Sequence, residues 1–521
     1  MRCLRLLVLI VAALVPTSLA CQSIPPAAIP WRNVYTQLGS KARGIPLNAG
    51  KNHELGLRLS TMFSVTRVIS SAVCEGSATL FEERDCDKLA GSLFDTTQPE
   101  FNQSFTVPYN FSMDPNDAFI NTRLKNVPGG DIQEEGHISM IVSTSAGSSL
   151  DLGDYPLEVM TDLPDNLQRK SGLGVGKQST FLDRLYQMGK IPSKVFGLYL
   201  GSSSETAPSD GELIVGGYYP GIVTSEFRNF TISDPSVTEL SELHCAIQIP
   251  ISNFTIEVQN KTYSLLPDRG YTLWACIDPF QQSMTLPNTM ISRLLEVTGA
   301  TIPPGQGLLS PKPVIPTTSD KVIQSVTITI ENGSNNFQVT IPSTELMTSI
   351  APMNTTNATS NVDLYQLEFR NTSDNYPVDK MQLPAAIFGA TFLSQQYLLV
   401  DYSRNTFGLA DAKYRGPTSG GTGLVTICDM DPNAQTVTRG SDKSVTIALA
   451  VVLSIGWLLV IFLSYIVCCL WKRTGRKREG SFGNSFTNSV PGGLGRRLSS
   501  FSAPPQPPLP KGHMETQAGH T

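Results

Sequence analysis

Few segments of this chain combine residue types and spacing that could carry out chemistry. In residues 275–287 the carboxylate of Asp278 follows an apolar run and precedes Pro279-Phe280. A carboxylate can act as an acid or a base, but sharing one proton and activating water requires a second carboxylate close by. Asp95, in the segment 93–97, is another carboxylate followed by Thr-Thr. The first question is therefore whether Asp278 has a partner.

Other reaction classes find little support in the sequence. It contains no Gly-x-Ser-x-Gly elbow, and the histidines before residue 445 are isolated at His53, His137 and His244. Neither Cys-x-x-Cys nor His-Glu-x-x-His spacing occurs. Residues 172–177 lack the full spacing and the Lys-Ser/Thr ending of a phosphate loop. We expect no metal and no cofactor.

Composition excludes several broad classes. Of 521 residues, 40% are apolar and 16% charged, with 39 Lys+Arg against 44 Asp+Glu. Such low charge excludes a wholly disordered protein, and the length allows a large core. Residues 472–521 hold eight basic and two acidic residues, so the remainder is acidic. An acidic body argues against nucleic-acid binding.

Both ends of the chain carry targeting signals. Residues 1–20 predict a secretory signal peptide cleaved after Ala20; a lipoprotein signal ahead of Cys21 is disfavoured, because Ser18 replaces an aliphatic residue. Residues 445–471 form an uncharged apolar run long enough to span a bilayer, and the basic residues after it place the C-terminus in the cytosol. We expect a single-pass type I protein of the plasma membrane or a secretory-pathway membrane.

The exported part carries the marks of an oxidising, glycosylating compartment. All nine Asn-x-Ser/Thr acceptors precede residue 445: Asn102, Asn110, Asn229, Asn253, Asn260, Asn332, Asn354, Asn357 and Asn371. Six cysteines also lie there, an even number whose pairing the spacing leaves open: Cys21, Cys74, Cys86, Cys245, Cys276 and Cys428.

The tail, residues 472–521, is rich in Gly, Ser and Pro and is predicted to be disordered. Ser499 follows Arg496-Arg497-Leu498, a pattern favoured by basophilic kinases, and residues 504–510 resemble a polyproline docking peptide. A plain solvated tail is the alternative. Cys468 and Cys469 are candidates for palmitoylation.

Between about residues 30 and 415 the pattern is that of β-structure. Strand-like runs punctuated by Gly, Pro, Asn and Asp recur, for example at 211–217, 325–330, 338–341 and 397–401. Two short helices are predicted, at 180–188 and 289–297. Residues 416–444 form a Gly/Thr-rich stalk, which Cys428 could tie to the body.

Four segments, in order, resemble the pepsin-like (A1) aspartic proteases, especially the larger fungal members. They are residues 174–182 with 189–198, 211–218, 275–287, and 386–402 with 407–410. The resemblance implies an all-β, bilobal fold with lobes at 21–225 and 226–415 and a cleft between them for an extended peptide.

In that fold each lobe places a loop beneath a crossing apolar-apolar-Gly strand. Here residues 59–64 would pair with Leu173-Gly174, and residues 277–282 with Phe388-Gly389. The resemblance also implies a Cys74–Cys86 disulfide in the small loop after the first motif. Cys245, Cys276 and Cys428 would belong to the C-terminal lobe, with Cys21 available as a fourth.

Compared with the family's two Asp-Thr/Ser-Gly loops, the catalytic dyad is degenerate. Ser60 stands in place of the first Asp; Thr61 matches, and Met62 replaces Gly. In the second loop Asp278 is retained, but Pro279-Phe280 replaces Ser/Thr-Gly. Asp95 resembles a first catalytic loop only superficially, since no Gly follows. Tyr109 is the nearest match to the family's flap tyrosine, although it adjoins the acceptor Asn110.

Three functions remain open. The leading hypothesis is a membrane-anchored pseudo-peptidase that binds peptide or cell-wall material in the inter-lobe cleft, with a kinase and a Pro-binding domain as candidate partners of the tail. The second is an active aspartic-type endopeptidase that uses Asp278 and an unrecognised carboxylate. The third is a structural surface glycoprotein whose cleft is filled by Phe280 and Met62.

Overall fold

The computed structural model describes residues 24–50, 53–62, 64–74, 87–88, 90–98, 101, 133–160, 171–233, 245–266, 270, 272–303, 312–333, 336–350, 363–371, 386–413 and 423–429. The chain divides into two compact units, Met1–Ala434 and Gln435–Thr521, and all of these residues lie in the first. The predicted signal peptide, membrane span, cytoplasmic tail and Ser499 lie outside them. No helix in the described ranges is long and apolar enough to cross a membrane.

β-Strands dominate the described chain. In order they are β1 Ala27–Tyr35, β2 Lys41–Ala49, β3 His53–Leu57, β4 Leu59–Ser60, β5 Arg67–Ile69, β6 Gln133–Ser143, β7 Ser149–Met160, β8 Leu173–Gly174, β9 Phe196–Tyr199, β10 Gly211–Val215, β11 Gly217–Tyr218, β12 Arg228–Thr231, β13 Gln248–Val258, β14 Lys261–Ser264, β15 Leu273–Ile277, β16 Met284–Leu286, β17 Val314–Pro316, β18 Ile323–Ile330, β19 Phe337–Pro342, β20 Met347–Ile350, β21 Leu364–Leu367, β22 Phe369–Asn371, β23 Ala386–Phe388, β24 Gln396–Asp401, β25 Thr406–Asp411 and β26 Val425–Thr426.

Helices are short and few in these ranges. They are α1 Ser71–Cys74, α2 Thr180–Gln187, α3 Asn288–Thr298, α4 Ser343–Leu346 and α5 Ala390–Leu393. Helix α2 begins where the Ser179 hydroxyl accepts the amide of Leu182 at 3.1 Å. Helix α3 ends at Gly299, which has a left-handed backbone. The two helices predicted from the sequence are α2 and α3, with bounds shifted by one residue.

Two sheets carry the core. The larger has eleven strands in the order β12-β25-β24-β9-β10-β1-β2-β6-β7-β5, with β3 paired to β2; the other has eight, β19-β18-β13-β15-β23-β16-β22, with β14 paired to β13. Residues alternate between buried and exposed along strands such as β19, as expected for strands with one solvated face. Both sheets contribute to one continuous apolar cluster.

Each candidate loop lies where a short parallel strand crosses it, as the sequence predicted. Strand β4 pairs with β8, joining Ser60 to Gly174, and β15 pairs with β23, joining Ile277 to Phe388. Beyond these pairs, the amide of Val175 donates to the Ser60 carbonyl and that of Asp278 to the Phe388 carbonyl. The same arrangement therefore occurs twice, once in residues 59–175 and once in residues 277–389.

Glycine is required at both crossings because the backbones touch. A Cβ on Gly389 would stand 1.9 Å from the Gln281 carbonyl oxygen, and one on Gly174 would stand 2.6 Å from the Ser64 carbonyl carbon. Real side chains do not tolerate such distances from backbone atoms. The apolar-apolar-Gly pattern thus reflects a steric requirement of the fold.

Residues 423–429 form a strap that returns to the body. Strand β26 pairs with β11, and the amide of Ile427 donates to the Gly216 carbonyl at 3.0 Å. Gly217 permits this approach, because a Cβ there would lie 2.0 Å from the Val425 carbonyl oxygen. Cys428 is disulfide-bonded. This end of the predicted stalk is therefore tied to the body, as its cysteine suggested.

We predict that Gly389→Ala lowers the free energy of unfolding by about 3 kcal/mol, the upper end for overpacking, because the Gln281 carbonyl belongs to backbone that cannot step aside. Denaturant unfolding of the two proteins measures the change. The matched control is Gly147→Ala, where a Cβ meets no atom within 4 Å and only the left-handed backbone is strained. That control should lose about 1 kcal/mol. Equal losses in the two variants would contradict the steric argument.

Candidate functional site

The carboxylate of Asp278 lies between the two loops and is held by both. Its Oδ1 atom accepts the amide of Thr61 at 3.0 Å, from the first loop, and the amide of Phe280 at 3.4 Å, from its own. The nearby hydroxyl of Ser60 acts on the same carboxyl group and favours its charged form. Asp278 is 2% exposed, so these bonds stand in for water.

Ser60 occupies the position in the first loop that Asp278 occupies in the second. The amide of Met62, two residues on, donates to Ser60 Oγ at 3.2 Å, just as that of Phe280 donates to Asp278. The two side chains thus face each other as a hydroxyl and a carboxylate. In the part of the chain that the structure describes, the hydrogen bonds to the Asp278 carboxylate come from the amides of Thr61 and Phe280, and none comes from a second carboxyl group.

Thr61 supplies the remaining bond between the loops. Its Oγ1 donates to the carbonyl of Ile277 at 2.8 Å, and its side chain is buried. Pro279 stands at the matching place in the second loop and has neither a hydroxyl nor an amide hydrogen. The reciprocal bond therefore cannot form, and the Thr61 amide binds Asp278 instead. The hydroxyl of Thr61 thus bonds the first loop to the second, and Pro279 cannot make the corresponding bond in the other direction.

Burial changes the acidity of Asp278. Loss of water raises the pKa of this carboxyl from 3.8 to about 6, against the opposing effect of the bonds from Thr61, Phe280 and Ser60, which favour the charged form. The group therefore titrates in the mildly acidic range. It can take up and release a proton there, but it has a hydroxyl rather than a carboxylate with which to share it.

Bulky apolar side chains fill the space around this pair. Phe280 is 2% exposed, and its ring lies 3.1 Å from where a Cβ on Gly172 would stand. The ring fits because residue 172 has no side chain. Met62 is buried as well. Both residues that stand at the glycine positions of the Asp-Thr/Ser-Gly pattern are thus packed inside the protein.

A disulfide anchors the second loop. Cys276, two residues before Asp278, is bonded to Cys245 at a Cα–Cα distance of 5.7 Å. The sequence assigned both cysteines to the C-terminal half and left their pairing open. The predicted Cys74–Cys86 pair stays a prediction because Cys86 lies outside the described residues.

The remaining candidates are not brought to this site. The carboxylate of Asp95 accepts the amide and hydroxyl of Thr97 at 2.8 and 2.7 Å, which caps a local turn. Tyr109 lies outside the described residues. His53 and His137 lie in β3 and β6. In the described ranges no three His, Cys, Asp or Glu side chains converge as metal ligands.

The acceptor asparagines differ in accessibility. Asn229, Asn253 and Asn260 are exposed and Asn332 is half-buried, whereas Asn371 is buried and its amide donates to Asn288 at 3.1 Å. The other four acceptors, Asn102, Asn110, Asn354 and Asn357, lie outside the described residues. Among the five acceptors that the structure describes, exposure thus suits three for a glycan, and Asn371 least.

Sequence reasoning missed a charged residue beside the site. Arg58 precedes Leu59 and lines a small open recess together with Pro279, Phe280, Arg43 and others. The signal was present: Arg58 is a lone charge between Leu57 and Leu59 in an apolar strand region. A cation there has no place in the resemblance, so no role was assigned to it.

Part of the chain that includes the second loop matches a known protein family. Residues 170–412 match the family model for eukaryotic aspartyl protease. This aspartyl-protease-like domain includes Asp278 and both crossing glycines, Gly174 and Gly389. The match begins at residue 170 and therefore does not cover Ser60. No curated protein matches the chain.

Asp278 should make the stability of the aspartyl-protease-like domain pH-dependent. Its pKa is higher in the folded protein, so folding favours the protonated form, and stability falls as pH rises from about 4 to about 6. A shift of this size corresponds to about 3 kcal/mol. Asp278→Asn, which keeps an oxygen for the Thr61 amide, should remove that dependence. Melting temperatures of both proteins from pH 3.5 to 7.5 measure it; parallel curves would contradict the raised pKa.

Thr61→Val should lower the free energy of unfolding by about 1–3 kcal/mol, because the Ile277 carbonyl loses its donor in a buried place. Chemical denaturation measures the loss, and Thr61→Ser should restore most of it. The matched control is Thr340→Val, whose hydroxyl pairs with Thr327 at 3.3 Å on an exposed strand and should matter little. Equal losses at the two positions would rule out a special role for the cross-loop bond.

Proposed function

We propose that this chain is a pepsin-like pseudo-peptidase of the secretory pathway, which binds an extended peptide or cell-wall material without cleaving it. The observation that carries the proposal is the pairing at the centre of the site. Asp278 faces the hydroxyl of Ser60, and its carboxylate is tied to the backbone of the opposite loop. That site can hold a hydrogen-bonding group of a ligand.

The chemistry of aspartic proteolysis depends on two carboxyl groups that share one proton. One group then takes a proton from water while the other gives one to the substrate. A serine hydroxyl does not ionise near acidic pH, so Ser60 can donate a hydrogen bond but cannot alternate between acid and base. Asp278 can therefore carry out one of these two proton transfers, and Ser60 cannot carry out the other.

The contacts that hold the two loops in place are present, and this favours a protein that still binds a ligand over one that has lost all use of the cleft. The two steric crossings, the Thr61 bond to the Ile277 carbonyl and the disulfide beside Asp278 are all present. The departures from the family's pattern are confined to the two loops, at Ser60, Met62, Pro279 and Phe280. A protein that keeps such exacting contacts while losing its chemistry is best explained by continued use of the surfaces they position.

The cellular setting is part of the proposal. A leader, a membrane span and one-sided glycan acceptors would hold the domain outside the cytosol, and the exposure of Asn229, Asn253 and Asn260 supports glycosylation there. The basic tail would then face the cytosol with Ser499 and its polyproline stretch. Kinases and Pro-binding domains are the partners that these sequences suit.

The decisive experiment is peptide-bond cleavage of an unfolded protein substrate from pH 2.5 to 7, with and without pepstatin. We expect the wild-type protein to show no pepstatin-sensitive cleavage, indistinguishable from Asp278→Asn. A reconstructed variant, Ser60→Asp with Met62→Gly, Pro279→Thr and Phe280→Gly, should gain cleavage, because it restores both carboxylates and the loop glycines. Cleavage by the wild type that pepstatin blocks and Asp278→Asn abolishes would establish the active-peptidase alternative instead.

Cleft binding needs its own test, since silence in the cleavage assay also fits a purely structural glycoprotein. Pepstatin itself serves as a probe for an extended peptide, with calorimetry as the readout. We expect saturable binding that Asp278→Ala weakens by about tenfold, because a charge-assisted hydrogen bond is lost. Absence of binding by a folded sample would favour a cleft filled by Phe280 and Met62.

A further inference from the structure

The recess beside the second loop is lined by two strands of the larger sheet and by neighbouring loops. Strands β1 and β2 contribute Trp31 and Arg43, Arg58 precedes β4, and the loop after β15 contributes Pro279, Phe280 and Gln282. Gln282 is exposed, whereas Trp31 and Phe280 are almost fully buried. The recess thus has an aromatic and apolar wall, an amide and two guanidinium groups.

Arg58 lacks a counter-charge of its own. Its side chain forms no hydrogen bond or ion pair with any residue that the structure describes. Burial lowers the pKa of its guanidinium, and Glu368 is the acid whose charge acts on it. Glu368, however, is already paired with Lys312 and accepts the Ser283 hydroxyl at 3.0 Å. The acid whose charge acts on Arg58 is therefore already engaged by Lys312 and Ser283.

The surroundings of Glu368 are cationic rather than neutral. Lys312 and Arg370 are both buried, and their charges act on Glu368 and on each other. Arg58 adds its own positive charge to the same cluster, since it too lowers the pKa of Lys312. Arg58 thus places a positive charge beside an acid that Lys312 already pairs with, and a buried charge is costly unless an opposite charge offsets it.

Arg43 contrasts with Arg58 and shows what a structural arginine looks like here. Its guanidinium donates to the carbonyls of Leu200 and Ser209, and the charges of Asp210 and Glu345 act on it. Glu345 in turn accepts the hydroxyl of Ser202. These bonds fix the loop after β9, which forms the far wall of the recess. Arg43 is thus fully used in holding the wall, and Arg58 is not.

We propose that this recess is a binding site for an oxyanion, a phosphate or carboxylate group, held by the guanidinium of Arg58. A guanidinium presents donors in a planar fork that matches two oxygens of such a group. The Gln282 amide can supply another donor, and Trp31 gives the recess an aromatic wall. The proposal does not depend on the fate of the dyad, because Arg58 takes no part in the bonds to Asp278.

The site also gives Pro279 and Phe280 a role. These two residues break the catalytic pattern of the second loop, and both line the recess. The changes that removed the dyad's bracing therefore also shaped a wall of the anion site.

Calorimetry on the full-length protein tests the proposal, with inorganic phosphate and acetate titrated separately into chloride buffer of constant ionic strength. We expect saturable one-to-one binding of at least one anion, and the comparison identifies the preferred group. Arg58→Gln should weaken the affinity about tenfold or more, because the charged donor fork is lost. The matched control is Arg293→Gln, which removes an exposed arginine paired with Glu296 on α3 and should bind as the wild type does.

A second measurement needs no variant and covers the case in which Arg58→Gln does not fold. Phenylglyoxal modifies accessible arginines, and mass spectrometry locates the adducts. The preferred anion should slow modification of Arg58 but leave that of Arg293 unchanged. No saturable binding, equal affinity in folded Arg58→Gln, or equal protection of both arginines would overturn the proposal. These outcomes are independent of any proteolysis result.

Discussion

The contact on which the rest of the site depends is the one between the two loops, where Thr61 binds both the Ile277 carbonyl and the Asp278 carboxylate. The short strand that crosses each loop, β8 or β23, is hydrogen-bonded to it. Neither loop can therefore move without breaking backbone hydrogen bonds. The Thr61 contact therefore joins two rigid bodies. It sets the distance between Ser60 and Asp278, and through Pro279 and Phe280 it places the wall of the Arg58 recess.

This arrangement separates what the fold needs from what the chemistry needs. The fold needs Gly174 and Gly389, because no other residue fits, and it needs a donor at Thr61 because the Ile277 carbonyl is buried. The chemistry would need an acid at position 60 and small residues at 62 and 280. The first set is intact and the second is not.

The sequence was most informative where sterics allow little choice. The resemblance predicted the crossing pairs Leu59–Leu173 and Ile277–Phe388, and the close approach of the backbones at both crossings explains the glycine that ends each crossing strand. The bounds of α2 followed from its apolar spacing and from Gly189, the glycine after it. Ser60 and Asp278 were likewise paired from their positions in the two loops.

Long-range electrostatics and covalent pairing could not be obtained in this way. Nothing local distinguishes Cys245–Cys276 from the other pairings, since the bond depends on how β13 and β15 lie side by side. The isolation of Arg58 is visible only once Glu368, Lys312 and Arg370 are brought together from distant parts of the chain. The burial of Asn371 likewise depends on its neighbour Asn288 in α3.

The strap at residues 423–429 has a mechanical consequence. Strand β26 is hydrogen-bonded to β11, and Cys428 is disulfide-bonded. A force that pulls on the chain beyond residue 429 therefore acts on these hydrogen bonds and on the disulfide before it acts on β25. Tension is therefore delivered to Gly216-Gly217 rather than to the last strand of the large sheet. Such a force would reach the loops that carry Ser60 and Asp278 only after β26 had separated from β11.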